Sequence, residues 1–449
     1  MSEPAHNTFL QKIYQHNIRF GFNWLLYVVL FIIVIYLLLM AYIRIKMQFW
    51  HLQPVFHMHN IGYWLNPPGI ISLELPKINK FVNLSNNKLI NVNEISEIQL
   101  QQICNFIKNY YVIHKTAKYT PTLDDIHAYL VHSNHPAFFN IYTETKLLFA
   151  NGEPLKNKDS ELISVISARP LNITLRDKSI RTSTSTSTST STSTSKKGAA
   201  ITSVLYYIDN LCVHPGQRNK GIAPQVIQTL YHTLSRANQN INLYMFKREG
   251  QLIAIVPLVR FDTYCFNVSR VEETRIETLL SPALSLVEIT KNQMNLLHFF
   301  LKEQIKQFEC VILPDVSSLL HLLNTEKLIM YAIITNGEII AIYVFRVLNL
   351  YYDEVKTIEC IAIVSNCTEH DTLLAGFYMS LVKLKTRLKL QMLNLLIENT
   401  AHSDAIIQSM LINNNNNSMV EYKFKNPTAF FLYNYACYSL SASKTLLIY

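Results

Sequence analysis

The sequence predicts an α/β chain: two related units of helices and mixed sheet, preceded by one membrane-spanning helix. Three observations carry this. Apolar runs of strand length alternate with breakers from residue 138 to residue 213. From about residue 279 the same order of helical stretches followed by strands returns, as a duplicated α/β unit would require. Near the start, residues 20–43 carry no charge, and about 20 apolar residues at ~1.5 Å each cross a hydrocarbon core of roughly 30 Å.

The expected organisation is a tail over 1–22, a membrane helix over 23–43, a first half over 46–275 and a second half over 276–449. Arg44 and Lys46 end the apolar stretch. It is too long for a signal-peptide core, and no small-residue cleavage site follows. Lys12 and Arg19 on one flank nearly balance Arg44 and Lys46 on the other. The cytosolic placement expected for the domain after the helix is read from its thiols. The seven cysteines (Cys104, Cys212, Cys265, Cys310, Cys360, Cys367 and Cys437) are scattered, odd in number and free of any CxxC pair, as reduced buried thiols would be.

After the anchor, Pro67-Pro68-Gly69 marks an extended connection, and helical spacing predicts helices over 94–111 and 122–132. Strands are predicted over 138–142, 147–150, 162–168 and 204–213. The seven Thr-Ser pairs of 182–195 and the Asn run 413–417 have no apolar face and are expected to be surface loops. In the second half, strands are predicted over 328–335, 338–346 and 357–364, with a helix over 371–388.

Forty Lys and Arg against 31 Asp and Glu give a net charge of +9, suited to a phosphate-bearing ligand or an anionic surface. No long basic run or zinc-type spacing points to nucleic acid. His57, His59 and the other histidines form no ligand-spaced cluster, so no metal is expected, and no nucleophile elbow appears.

The most informative stretch is 206–234. An apolar strand breaks at His214-Pro215-Gly216 into a basic glycine-containing turn, and an amphipathic helix follows with Ile222, Val226, Ile227, Leu230 and Leu234 on one side. Gly221 allows close backbone approach, and the amides of the helix start, with Arg218 and Lys220, make an anion site suited to a pyrophosphate.

Arg218-x-x-Gly221-x-Ala223 after a strand ending at Val213 resembles the CoA-binding signature of the GNAT acyltransferases. Within them, the chain resembles the eukaryotic protein N-myristoyltransferases. Leu211-Cys212-Val213-His214 with Ala223-Pro224 is similar to that family's strand-to-helix junction. Gln48-Phe49-Trp50-His51-Leu52-Gln53-Pro54-Val55 resembles its FWxxQPV element, and Ile166-Ser167-Ala168 with Pro170 and Asn172-Ile173 its FISAIPANI-like strand. Phe430-Phe431-Leu432-Tyr433-Asn434-Tyr435 and the short tail to Tyr449 are similar to its ending.

The resemblance implies a duplicated GNAT-like fold in which the first half holds myristoyl-CoA and the second mainly the peptide. It implies CoA contacts from Gln48, Phe49, Trp50, Leu211, Cys212, Val213, Arg218, Asn219, Lys220, Gly221, Ile222, Ala223 and Pro224. Transfer of myristoyl to the N-terminal glycine of other proteins follows, by a monomeric enzyme needing no metal. The base would be the terminal carboxylate of Tyr449, whose ordinary pKa of about 3.5 burial would raise. The backbone N–H groups of Asn210 and Leu211 would form the oxyanion hole, worth on the order of 3 kcal/mol each.

Four departures from the family pattern bear on the acceptor. Asp209-Asn210 stands where the family has Asn-Phe, and Asp209 is expected to bind the incoming amine. Met245, after Tyr244, replaces an amine-binding threonine. Ile113-His114-Lys115, after Tyr111-Val112, replaces an acidic run, and Asn394 or Leu395 an aspartate. Tyr111, Tyr244, Met245 and Tyr433 are the residues expected to touch the acceptor. Two alternatives stay open: the same fold with another acyl-CoA or a lysine acceptor, and a membrane protein that binds acyl-CoA or lipidated proteins without turnover.

Overall fold

Period-two alternation becomes one continuous sheet in the computed structural model, which describes residues 4–46, 48–112, 116–146, 149–150, 153–154, 159–176, 200–250, 254–272, 284–412 and 419–449. The Thr-Ser tract, the Asn run, the stretch 113–115 and the expected boundary near 275 lie outside these residues. The chain divides into two units, Met1–Gln53 and Pro54–Tyr449.

The first unit is helix α1 (Pro4–Lys46) and a short 3-10 turn, Trp50–Leu52. Within α1, Trp24–Ile45 has a mean hydropathy of 2.9 and none of it is buried. At ~1.5 Å per residue this stretch is long and apolar enough to cross a membrane. Gln48, Phe49 and Trp50, three of the expected CoA contacts, lie at the turn. There the Phe49 and Trp50 rings meet edge to face at 5.2 Å, and Gln53 Nε2 donates to the Phe49 carbonyl at 3.0 Å.

The second unit carries β1 (Asn87–Asn91), α2 (Glu97–Tyr110), β2 (Ala117–Tyr119) and α3 (Leu123–His127) before its main strands. Ser96 and Gln99 form a capping box that starts α2, and Leu100, Ile103, Phe106 and Ile107 bury its apolar side. Helix α3 is shorter than the predicted 122–132. Thr122 and Asp125 cap its start, but His132 has φ +61°, which a right-handed helix does not admit.

There follow β3 (Phe138–Lys146), β4 (Asp159–Leu175), β5 (Ile201–Val213), α4 (Ile222–Ala237), β6 (Leu243–Glu249) and β7 (Val259–Asn267). Beyond them come β8 (Ser285–Glu288), α5 (Met294–Gln304), β9 (Cys310–Leu313), α6 (Val316–Asn324), β10 (Leu328–Thr335), β11 (Glu338–Tyr352) and β12 (Val355–Ser365). The chain closes with α7 (His370–Arg387), β13 (Asn394–Glu398), α8 (Ser403–Ile412), β14 (Glu421–Tyr433) and β15 (Thr445–Leu447).

Fifteen strands form one sheet, in the order β8-β10-β11-β12-β13-β7-β14-β6-β5-β4-β9-β15, with β3 on β4, β1 on β3 and β2 on β11. The duplication is visible in it. Antiparallel β4-β5 leads through α4 to β6, parallel to β5; antiparallel β11-β12 leads through α7 to β13, parallel to β12. A parallel return needs such a crossover helix. Strands β7 and β14 join the two copies at the centre.

The end of the chain is core. β15 runs parallel to β9, Ile448 N–H donates to the Ile312 carbonyl at 2.9 Å, and Leu446, Leu447, Ile448 and Tyr449 are all at most 1% exposed.

Candidate active site

The centre of the site is a bulge. Along β4 and β5, Ser164 faces Val213 and Val165 faces Cys212, but Ser167 faces Asp209, so Ile166 alone lies against Asn210 and Leu211. Asn210 takes φ +55°, a left-handed conformation that asparagine tolerates better than most residues. Its side-chain Nδ2 donates to Ser167 Oγ at 2.9 Å, Ser167 Oγ donates to the Asp209 carbonyl at 3.2 Å, and Asn210 N–H donates to Asp209 Oδ1 at 2.7 Å. The parallel pairing of β5 with β6 ends at Ile208, just before the bulge. Beyond that point the two strands have no shared ladder, and Leu211 is 38% exposed.

On the Leu211 side lies a cavity of about 460 Å³ lined by Leu211, Val213, Gln217, Arg218, Asn219, Gly221, Ile222, Ala223 and Pro224. Eight of these nine are CoA contacts expected from the sequence. Arg218 anchors the loop: its Nε donates to the Val213 carbonyl at 3.1 Å and its Nη2 to that of Tyr110 at 2.8 Å. Gly221 is the N-cap of α4 with φ +78°, and no atom lies within 4 Å of where its Cβ would be. The amides of the first turn of α4 thus open onto the cavity with no side chain in front of them. Of the ten contacts expected from residues 211–224, two do not line it. Lys220 is exposed and its Nζ donates to Gln217 Oε1 at 2.9 Å. Cys212 is buried in the core packed against α2, and burial pushes its thiol up to about 12, so it is no thiolate nucleophile.

On the Asp209 side lies a second cavity of about 370 Å³. Its floor is Ser167, Arg169, Tyr207 and Asp209, and its walls include Tyr111, Tyr129, Lys247, Glu249, Arg346 and Glu359. Tyr111 Oη donates to Asp209 Oδ1 at 3.4 Å. Burial, with the Asp209 carboxylate adding to it, pushes the Tyr207 hydroxyl far above the ordinary phenol range, so it stays a neutral donor.

Most charges around this cavity are paired. Arg346 Nε donates to Glu359 Oε2 at 2.6 Å, and Lys327 Nζ to Asp125 Oδ1 at 2.6 Å. Lys247 Nζ lies 3.0 Å from Glu249 Oε1 and 2.8 Å from Glu398 Oε1. Burial works against the Lys247 ammonium, but the carboxylates of Glu398 and Glu249 outweigh it and hold its pKa well above the usual lysine value.

This network grips the last residue. Tyr449 Oη donates to Glu398 Oε1 at 2.5 Å and accepts from Arg346 Nη2 at 3.4 Å. The Arg346 guanidinium lies 4.4 Å from the centre of the Tyr449 ring, and the Tyr207 and Phe430 rings pack on it at 5.5 and 5.1 Å. Tyr449 therefore stands directly behind cavity walls made by Tyr207, Lys247 and Arg346.

Three expected acceptor contacts, Tyr244, Met245 and Tyr433, are not brought to either cavity. Tyr244 and Tyr433 belong to a buried aromatic cluster with Tyr231, at 5.4 and 4.9 Å from its ring, and Met245 is 0% exposed between Tyr207 and Leu432 in the ladders. All three line neither cavity; their positions on β6 and β14 put them at the seam of the sheet, where packing claims them. Sequence reasoning missed Arg169, Lys247, Arg346 and Glu359. Their signal was a lone charge inside an apolar strand, as in Arg346 within 339–347, which makes sense only once a cavity is known to lie there.

No family profile and no curated protein matches the chain. Solved structures do. N-myristoyltransferase of Saccharomyces cerevisiae with bound myristoyl-CoA aligns at 14% identity, covering 88% of this chain and 94% of that one, with a TM-score of 0.58. A second structure of the yeast enzyme with bound myristoyl-CoA aligns at 15% identity over 88% and 89%, with a TM-score of 0.60. A third, with myristoyl-CoA and inhibitors, aligns at 14% over 88% and 91%, with a TM-score of 0.59. The expected duplicated α/β architecture is borne out: the chain has the fold of N-myristoyltransferase.

Proposed function

We propose that the chain transfers myristoyl from myristoyl-CoA to the N-terminal glycine amine of protein substrates, and that α1 holds it at a membrane with the catalytic unit in the cytosol. One observation carries the reading. Three consecutive residues of a single bulge border two cavities of different chemistry, Leu211 the loop cavity and Asp209 with Asn210 the charged one. A thioester lying along the first and an amine entering the second would meet at the bulge.

The loop cavity suits a CoA pyrophosphate: helix-start amides face it, Gly221 leaves the approach open, and Arg218 supplies positive charge. Myristoyl-CoA is the ligand of the yeast proteins that share the fold. The amine would arrive as an ammonium and pair with Asp209. By drawing the carboxylate to itself it would release Asn210 N–H, which now donates to Asp209 Oδ1. The proton passes to the terminal carboxylate of Tyr449, and the nitrogen lone pair attacks the thioester carbon. The N–H groups of Asn210 and Leu211 take up the charge on oxygen. The C–S bond then breaks, CoA leaves with a proton, and an amide remains. A single myristoyl chain holds a product to a bilayer only marginally, so synthesis at the membrane has a physical use.

A second reading, acyl-CoA binding without turnover, is favoured by one contact: the Asn210 donor is already occupied. One assay separates the two. Labelled myristoyl-CoA is given to the full chain in detergent with peptides starting in Gly, in N-acetyl-Gly, or in Ala with an internal Lys. Label on the Gly peptides alone is expected. Tight acyl-CoA binding with no labelled peptide would establish the second reading, and label on the Lys peptide would redirect the activity to side-chain amines.

Gly221→Ala isolates the loop. A left-handed alanine costs roughly 1–2 kcal/mol, and its methyl would project into open space with no clash. A modest fall in Tm is expected beside a rise in the acyl-CoA Kd of about tenfold or more, since the methyl stands where the ligand must approach the helix amides. A lower Tm with unchanged Kd would place CoA elsewhere.

A further inference from the structure

Arg169 is the exception among the cations of the charged cavity. Lys247 and Arg346, the other two cations that line it, each touch a carboxylate of the protein. Arg169 is 5% exposed on β4, its guanidinium is held between the rings of Tyr129 and Tyr207 at 4.9 and 5.0 Å, and it lines the cavity. It has no hydrogen-bond acceptor and no carboxylate in contact among the described residues. Two aromatic faces offset part of the cost of burying it, and the Asp209 carboxylate acts on it without touching it, so the N–H edge of the fork has no protein acceptor and meets the open space of the cavity. The clamp is rigid. Tyr129 Oη donates to the Lys327 carbonyl at 3.2 Å, and Tyr207 packs on Tyr449. A planar fork fixed by stacking, with its edge free, is suited to taking a carboxylate in two parallel hydrogen bonds.

The distance to Asp209 says whose carboxylate this is. Ser167 faces Asp209 and Arg169 faces Tyr207 across the ladder, so Arg169 and Asp209 are diagonal neighbours on one face, roughly 7–8 Å apart. An extended chain advances about 3.3–3.6 Å per residue. With an amine on Asp209, a carboxylate on Arg169 comes from the side chain of the second or third residue. Resting on the assignment of the amine to Asp209, we propose that Arg169 selects acceptors with an acidic side chain at position two or three after the terminal amine, so that this cavity reads an amine and a nearby carboxylate together.

The test uses Gly-starting peptides carrying Asp or Glu, or the isosteric Asn or Gln, at positions two and three. For the wild-type full chain, kcat/KM is expected to favour the better acidic peptide by about 10- to 100-fold over its amide. In Arg169→Met that ratio is expected to collapse to within about threefold, while Tm without ligand stays equal to or above that of the wild type, because the charge removed touches no carboxylate among the described residues. A structural arginine would instead lower Tm and leave the ratio intact. Equal transfer to acidic and amide peptides by the wild type overturns the proposal and leaves the acyltransferase standing. Absence of transfer to every peptide, with calorimetric binding of the acidic peptides that Arg169→Met abolishes, sustains the anion site and removes the enzyme. Absence of both transfer and acid-dependent binding overturns both.

Discussion

Deletion of Tyr449 alone is expected to lower kcat by about 10²–10⁴, whereas Tyr449→Phe is expected to keep it within about tenfold, because a positioned base is what the deletion removes. The two variants separate main chain from side chain. Phenylalanine keeps the terminal carboxylate in place together with the ring contacts to Tyr207, Phe430 and Arg346. It removes only the hydroxyl that donates to Glu398. Lys247 still pairs with that carboxylate, so the loss of stability is expected at about 1–3 kcal/mol, the cost of one unmet buried acceptor. Rates are compared below both melting temperatures, since the deletion also takes a core residue. Equal inactivity of the two variants would move the effect to the Arg346-Glu398 network; full activity of the deletion would leave Asp209 as the proton acceptor, which Asp209→Asn then tests.

The largest effect on stability is expected from Arg346→Met, at about 3–5 kcal/mol in urea unfolding. Arg346 is 8% exposed and Glu359 7%, and removing the guanidinium leaves that carboxylate buried alone. The double variant Arg346→Met/Glu359→Gln is expected to regain most of the loss, because two neutral groups of similar shape replace the pair. If it does not, the role of Arg346 lies in covering the Tyr449 ring instead. Arg169→Met makes the contrast: the same side chain is buried as deeply, yet the sign of the stability change is expected to differ, because of the two only Arg346 touches a carboxylate among the described residues.

Much of the fold was legible because local chemistry and tertiary context agreed. The strand expected over 328–335 has its observed bounds; β4 and β12 run past their expected spans at both ends, and β5 only at its start. Helix 371–388 differs from α7 by one residue at each end. Strand β14 was not read, and the reason is Pro427. A proline inside an apolar run argues against a central strand, yet Pro427 faces Asp262 just past the last residue β14 shares with β6, and its carbonyl accepts from Gly250 N–H at 2.8 Å. The missing N–H falls where one ladder has already ended. On α4 the apolar side was read, but the buried side is wider: it takes in Gln228, Thr229, His232 and Ser235, whose burial no hydrophobic pattern announces.

By itself the sequence determined the apolar helix, the strand-turn-helix loop with Gly221 at its cap, and an apolar tail fit for a core. Each of these depends on residues adjacent in the chain, where propensity, glycine geometry and hydrophobic period act. What only the tertiary structure decided is which charges meet. Asp209 and Arg169 lie 40 positions apart in the sequence, Arg346 and Tyr449 103 apart, and whether a buried charge is neutralised by the protein or left for a ligand depends on contacts a few ångströms long between strands that the sheet alone brings side by side.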